Sequence, residues 1–178
     1  INIPFTVGGG IRSIKEVEMI INSGADKVSI NSSAVQDPML IKKIAQEFGN
    51  QCIVVAIDTK SILDEWFVFT HGGKKSTSLK TLDWAKQVEH LGAGEILLTS
   101  MNSDGTKNGF DIDIIRQVSE AVNIPVIASG GAGNLNHFND IFRQTSASGG
   151  LAASIFHYDE ISIPELKKFL EYQNIAVR

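Results

Sequence analysis

The chain has 178 residues, 43% of them hydrophobic, and its 20 acidic and 16 basic residues are interspersed for a net charge of −4. One domain with a real core fits that length, and the charge balance argues against nucleic acid or a membrane surface as partner. A lone cysteine, Cys52, excludes a disulfide framework and fits a reducing cytoplasm, and no apolar stretch reaches the roughly eighteen residues of a membrane span.

The first apolar run, Ile3 to Val7, predicts a strand over Phe5–Gly8, closed by the turn Gly8-Gly9-Gly10-Ile11-Arg12. A helix over Ser13–Ser23 follows, with Ser13 three residues before Glu16 as a start signal and Gly24 as its stop. Next come a strand over Lys27–Asn31 and a helix over Pro38–Phe48, opened by Asp37-Pro38 and ended by Gly49. The run Cys52 to Ile57 predicts a strand over Ile53–Asp58, with Cys52 as a buried thiol. The segment Trp66 to Lys75 then breaks the rhythm and reads as a hairpin arm with a glycine-basic tip, either a lid over a site or a decoration. A helix over Leu79–Leu91, a strand over Glu95–Ser100 and a helix over Asp111–Ala121 restore the alternation. The last elements are strands over Val126–Ser129 and Gly150–Ala153 and helices over Leu135–Arg143, after Asn134, and Ile163–Tyr172.

Strict β/α alternation means a parallel sheet, either open and doubly wound or part of a barrel. Strands between two helix layers are apolar on both faces. Here Lys27, Ser29 and Asn31 share one face of a strand, and Glu95, Leu97 and Thr99 share another. That alternation suits a barrel interior facing a ligand.

An internal repeat points the same way. The turn Gly130-Gly131-Ala132-Gly133-Asn134 copies the first glycine turn at an offset of 122 residues, and Gly149 to Ser154 matches Lys27 to Ser32 at the same offset. Glycine turns at strand-to-helix junctions admit anions close to backbone N–H groups, so a ligand with a phosphate at each end is expected. The middle of the chain has no copy. By the repeat period, a parent longer by roughly 60 to 75 residues is expected, with about two β/α units ahead of Ile1. The expected architecture is therefore one domain over residues 1–178, a (β/α) barrel truncated to about six units.

Asp58 ends a strand on the side where barrel enzymes place catalytic groups, though a helix cap or loop solubiliser would look the same. Asp104-Gly105-Thr106-Lys107 follows another strand and reads either as a ligand loop or as turn chemistry. Lys27 and Glu95 open strands on the inward face, where a rim salt bridge is the plain explanation. The four histidines show no metal-ligand spacing, so neither metal nor other cofactor is expected. His90 and His137 fall on exposed helix faces, and His71 alone lies in a plausible site loop.

Taken in order, several motifs resemble the cyclase subunit of imidazole glycerol phosphate synthase across essentially the whole chain: Thr6 to Arg12, Gly24 to Ser32, Val55 to Asp58, Gly94 to Ser100, Asp104 to Asp111, Ile127 to Gly133 and Leu151 to His157. The resemblance implies a (β/α)8 TIM barrel with strands three to eight present. It implies a step of histidine biosynthesis: ammonia from a glutaminase partner converts a bis-phosphorylated ribulosyl aminoimidazole carboxamide nucleotide into imidazole glycerol phosphate and aminoimidazole carboxamide ribotide. Asp58 matches one of the family's two catalytic aspartates, and the chain offers no match for the other, so the chain alone is expected to be inactive. The family's phosphate residues fall on Gly10, Asn31 and Ser32 at one end and on Asp104, Gly105, Gly131, Ala153 and Ser154 at the other. Lys27 and Glu95 match a charged ammonia gate, and Asp26 matches the face that docks the glutaminase. The segment Gln144 to Gly150 departs from the family pattern and is expected to loosen the last strand, leaving the first anion site better formed. The sister isomerase of the same pathway is a rival reading, though the long hairpin and Thr99 to Asp104 favour the cyclase. A non-catalytic, phosphate-binding chain that self-associates through open sheet edges is another.

Overall fold

The computed structural model describes residues 3–178. Strand β1 (Thr6–Gly8) leads into helix α1 (Ile14–Asn22), and β2 (Lys27–Ile30) into a short α2 (Ser32–Gln36) and then α3 (Met39–Phe48). A 3-10 turn over Asn50–Cys52 feeds β3 (Ile53–Ile62), which continues through β4 (Glu65–Thr70) and β5 (Lys75–Lys80) into α4 (Thr81–His90). Then β6 (Glu95–Ser100), α5 (Ile112–Ala121), β7 (Val126–Ser129) and α6 (Leu135–Gln144) follow. The chain finishes with β8 (Gly149–Leu151), a one-turn α7 (Ser154–His157) and α8 (Ile163–Tyr172).

Six strands form one parallel sheet in the order β1-β2-β3-β6-β7-β8, with β4 and β5 as an antiparallel branch from β3. A doubly wound sheet reverses its strand order at a switch point. This sheet never reverses, so the order is that of a barrel wall. Among the described residues β1 pairs only with β2 and β8 only with β7, which leaves the sheet open at both edges.

Alternation along the strands divides the two faces. In β3 the side chains of Ile53, Val55, Ile57 and Thr59 are fully buried, as are Val28, Ile96, Leu98 and Ser100 in the neighbouring strands. The opposite face carries Lys27, Ser29, Ala56, Asp58, Glu95 and Thr99, all part-buried. Pairing aligns Ser29 with Val54, Val54 with Glu95, and Asp58 with Thr99, so these side chains share one face. That face is short of apolar filling, as expected of a surface that receives a polar ligand.

Helix starts follow local chemistry. Ser13 Oγ accepts from the Glu16 N–H, and Glu16 Oε2 accepts from the Arg12 N–H at 2.7 Å, a reciprocal capping box. The Arg12 N–H and then the Ser13 hydroxyl hold the Glu16 carboxyl below its ordinary value. Asn134 accepts the His137 N–H at the start of α6, and Ser162 accepts the Glu165 N–H at the start of α8. Asp111 stands at the N-cap of α5 without capping it, because Ser100 Oγ donates to its carboxylate at 2.9 Å.

Several expectations need correction. β3 runs on through Ile62 because the hairpin extends it, and α4 begins at Thr81 because Leu79 and Lys80 belong to β5. Cys52 lies in the 3-10 turn ahead of β3 and is only part-buried. β8 sits earlier than expected, since the Ser148 N–H already bonds the Val126 carbonyl. Phe138 fills the space beside it. One of its ring carbons lies 3.0 Å from where a Gly150 Cβ would stand, and its ring packs edge-on against Phe110 at 5.3 Å. Glycine in this segment therefore admits an aromatic ring rather than merely loosening the strand. The short helices α2 and α7 carry too few residues to show a periodicity and were not expected.

The hairpin is tied to the core by a buried hydroxyl pair. Thr59 Oγ1 lies 2.5 Å from Thr81 Oγ1 and donates to the Phe67 carbonyl at 3.2 Å, and both threonines are fully buried. Thr59→Val strips Thr81 of its partner, whereas Thr81→Val leaves Thr59 still bonded. Thr59→Val is therefore expected to cost about 1–3 kcal/mol and more than Thr81→Val. Urea unfolding of the two variants checks the order.

Candidate active site

All six parallel strands end on one rim, and two concave sites lie there. The larger has a volume of about 1000 Å³ and lies between the first glycine turn, the end of β2, β3 and the hairpin tip. Gly10, Asn31, Ser32 and Asp58 all line it, so four sequence-predicted residues meet in one cavity. The hairpin reaches it for a topological reason. β2 pairs with β3 only over Ile53–Val55, whereas β4 pairs with β3 from Asp58 onward. The returning strand thus brings its tip down onto the end of β2. There the His71 N–H donates to Ser32 Oγ at 2.9 Å. His71 holds a left-handed backbone, with φ of 57°, and its Nδ1 lies 3.0 Å from Thr70 Oγ1. His71 and Gly72 line the cavity, so the hairpin tip forms one of its walls.

Asp58 sits where β3 changes partner. Burial pushes its carboxyl above the ordinary value, and the negative charge of Asp104 adds to that. The Asn31 side-chain amide, donating at 3.0 Å, and the Gly73 backbone N–H act the other way. The net direction is upward, so burial favours the protonated carboxyl relative to an exposed aspartate. Folding then favours the protonated carboxyl. That contribution is complete below the unfolded value and is lost as pH rises through the folded one. Asn31 Oδ1 is buried without a partner and remains an unused acceptor.

The second site is smaller, about 230 Å³, and collects Asp104, Gly105, Gly131, Ala153 and Ser154, all five expected there, together with Lys107. The Gly109 N–H donates to the Gly131 carbonyl at 2.8 Å, clasping the two loops. A Cβ on Gly131 would strike the Gly109 carbonyl, and its φ is +99°, so both space and backbone require glycine. His137 is a correction: it is part-buried and accepts the Gly133 N–H on Nδ1 at 3.0 Å. One backbone donor of the second glycine turn is therefore already engaged. His90 is exposed, as expected.

At the opposite end of the strands Lys27 Nζ lies 2.9 Å from Glu95 Oε2, an ion pair across the inward face. Asp26 Oδ2 accepts the Phe5 N–H at 2.7 Å and steadies the start of β1. Sequence reading left Lys107, Arg12 and Glu160 unassigned. Lys107 closes the Asp104-Gly105-Thr106-Lys107 motif, and a cation right after an anion-binding turn was the signal available. Among the described residues, no group of three or more His, Cys, Asp or Glu could hold a metal ion, and no helix is long and apolar enough to cross a membrane.

An unreversed parallel sheet with two glycine-turn cavities on the rim where its strands end defines a β/α-barrel-type fold. A family model described as "Histidine biosynthesis protein" matches residues 1–162. The imidazole glycerol phosphate synthase subunit HisF of Flavobacterium johnsoniae is 57% identical over 178 residues, covering 100% of this chain and 71% of that protein. The same subunit of a Hydrogenobaculum species is 57% identical over 176 residues, covering 98% of this chain and 70% of its own. That of Streptococcus mutans is 54% identical over 177 residues, covering 99% and 70%. The chain therefore belongs to the histidine biosynthesis protein family and, within it, to the cyclase subunits of imidazole glycerol phosphate synthase. That membership decides against the sister isomerase.

Replacing Asn31 by Leu removes the strongest interaction that favours the ionised Asp58. The Asp58 titration midpoint is expected to rise further, and its carboxyl carbon shift followed by NMR against pH checks the direction.

Proposed function

We propose that these residues cyclise a bis-phosphorylated ribulosyl aminoimidazole carboxamide nucleotide with ammonia, giving imidazole glycerol phosphate and aminoimidazole carboxamide ribotide. The observation that carries the reading is the placement of Asp58. It lies in the first cavity, and its strand neighbours Thr99, Ser129 and Leu151 run in one row to the second. A substrate with a phosphate at each end would span that row. Its reacting centre would lie beside a carboxyl able to give and take a proton. One phosphate is assigned to Gly10, Asn31 and Ser32, the other to Gly105, Gly131, Ala153 and Ser154. Because the Asn31 amide already donates to Asp58, its role includes setting the charge of that carboxyl as well as meeting the ligand.

Ammonia is assigned an entrance at the other end of the strands, past the Lys27–Glu95 pair, from a glutaminase docked on the face that includes Asp26. The pair supports this by its position: Lys27 opens β2 on the inward face, four residues before Asn31, which follows the strand's last residue. A polypeptide of these 178 residues by itself, with Asp58 as its one proposed catalytic carboxylate, is proposed to bind phosphates without turnover. It is also proposed to self-associate. Among the described residues β1 and β8 each pair on one side only, Phe5 and Leu151 are 43% and 41% exposed beside them, and an apolar groove of about 510 Å³ lies next to β8.

Asp58→Asn, in an active synthase carrying these residues, is expected to lower ammonia-dependent turnover by about 10²-fold or more without weakening phosphate binding. Retained turnover would overturn the assignment. Sedimentation of the 178-residue polypeptide at micromolar concentration is expected to show a dimer or larger species; a stable folded monomer would refute the association.

A further inference from the structure

The second cavity holds an anion site whose one lining cation is already paired. Lys107 Nζ lies 2.6 and 2.7 Å from the two oxygens of Glu160, a two-pronged contact between the loop after β6 and the loop after α7. Lys107 and Ser154 both line the cavity, and Glu160 follows α7, the helix that Ser154 opens. The ion pair therefore joins two walls of the same site. Asp104, a further lining residue, adds negative charge rather than positive. As folded, the site offers a phosphate backbone donors and a lysine that a carboxylate occupies.

We propose that Lys107 is the specificity-determining cation of this site and that Glu160 is its positioning residue: an arriving phosphate dianion takes Lys107 from Glu160. The inference rests on the reading of the second cavity as a phosphate site. Three observations support the exchange. The Lys107 backbone is pinned, with φ of +58°, and Gly133 packs so closely on it that a Cβ there would strike the Lys107 carbonyl. Only the side chain is free to swing. The two side chains are 42% and 39% exposed, and ion pairs in such settings are weak, about 0–1 kcal/mol. A phosphate carries about −1.5 to −2 charges and three acceptor oxygens, so it outcompetes one carboxylate for the same ammonium. A ligand ending in a carboxylate or a hydroxyl gains too little to break the pair. Glu160 thereby sharpens the preference for phosphate and holds the Asp104–Lys107 loop in shape while the site is empty.

The test titrates the 178-residue chain with inorganic phosphate and follows amide NMR shifts of Gly131 and Ser154 for this site and of Gly10 for the other. Glu160→Gln frees the lysine and is expected to tighten binding at Gly131 and Ser154 about two- to five-fold, the equivalent of a weak ion pair. Lys107→Met is expected to weaken it about tenfold or more, and Lys107→Arg to retain it. Gly10 should respond alike in all variants. In the double variant Lys107→Met/Glu160→Gln the gain from Glu160→Gln should vanish, because Glu160 acts only through Lys107. A gain that persists in the double variant means plain charge repulsion and overturns the exchange. So does wild-type affinity in both single variants, with the phosphate site itself left standing. If Gly131 and Ser154 fail to respond to phosphate in the unmodified chain, the site reading and the exchange fall together.

Discussion

The site depends on one strand having two neighbours in succession along the same edge. β3 bonds β2 through Ile53–Val55 and then, from Asp58 onward, bonds β4. Its other edge bonds β6 over Val54–Thr59 without interruption. A strand held continuously on one side can change partner on the other without losing its ladder. The change falls at Asp58. A carboxylate placed there is flanked by the end of β2, which supplies Asn31, and by the hairpin, whose tip supplies His71 and the Gly73 N–H. Burial by these neighbours raises its pKa, and their donors keep the ionised form accessible. The same geometry that covers the group therefore also tunes it.

Charge is layered along the inward face. The Lys27–Glu95 pair sits where β2 and β6 begin, and Asp58 with Asn31 sits where β2 ends. Between them lie the small or apolar side chains of Ser29, Val54, Ala56 and Leu97. An ion pair in such a place satisfies its charges locally, so the inward face between the two layers carries no further fixed charge among the described residues. At the rim, the two glycine-turn cavities are built from repeated sequence yet are unequal. In the first, the capping box of Glu16 engages the Arg12 N–H. In the second, His137 engages the Gly133 N–H and Glu160 engages Lys107. Each copy sets aside some of its donors, and in the second copy the cation is set aside as well.

Much of this was legible in the sequence because the signals are local. Apolar alternation located the six parallel strands, and β6 and β7 fall on the expected residues. Ser13 and Asn134 announce helices because a short oxygen-bearing side chain can meet a backbone N–H three residues on. The glycine turns announced their cavities, and the eight residues expected at the two anion sites line those two cavities. Where a local rule failed, a distant partner had intervened. Asp111 left its cap for Ser100, and His137 left the helix surface for Gly133.

By itself, the sequence determined the order of elements, the face each strand turns inward, and the two glycine turns that line the rim cavities. These follow from φ/ψ preference and side-chain period, which act over a few residues. Only the tertiary structure decided that Ser32 holds the hairpin tip, that Asn31 serves Asp58, that Asp104 acts on Asp58 through its charge, and that Lys107 is paired with Glu160. Those partners lie 27 to 53 residues apart, and no short-range pattern links them. They meet because parallel pairing brings every strand end to one rim, where hydrogen bonds and charge sort the side chains that happen to converge.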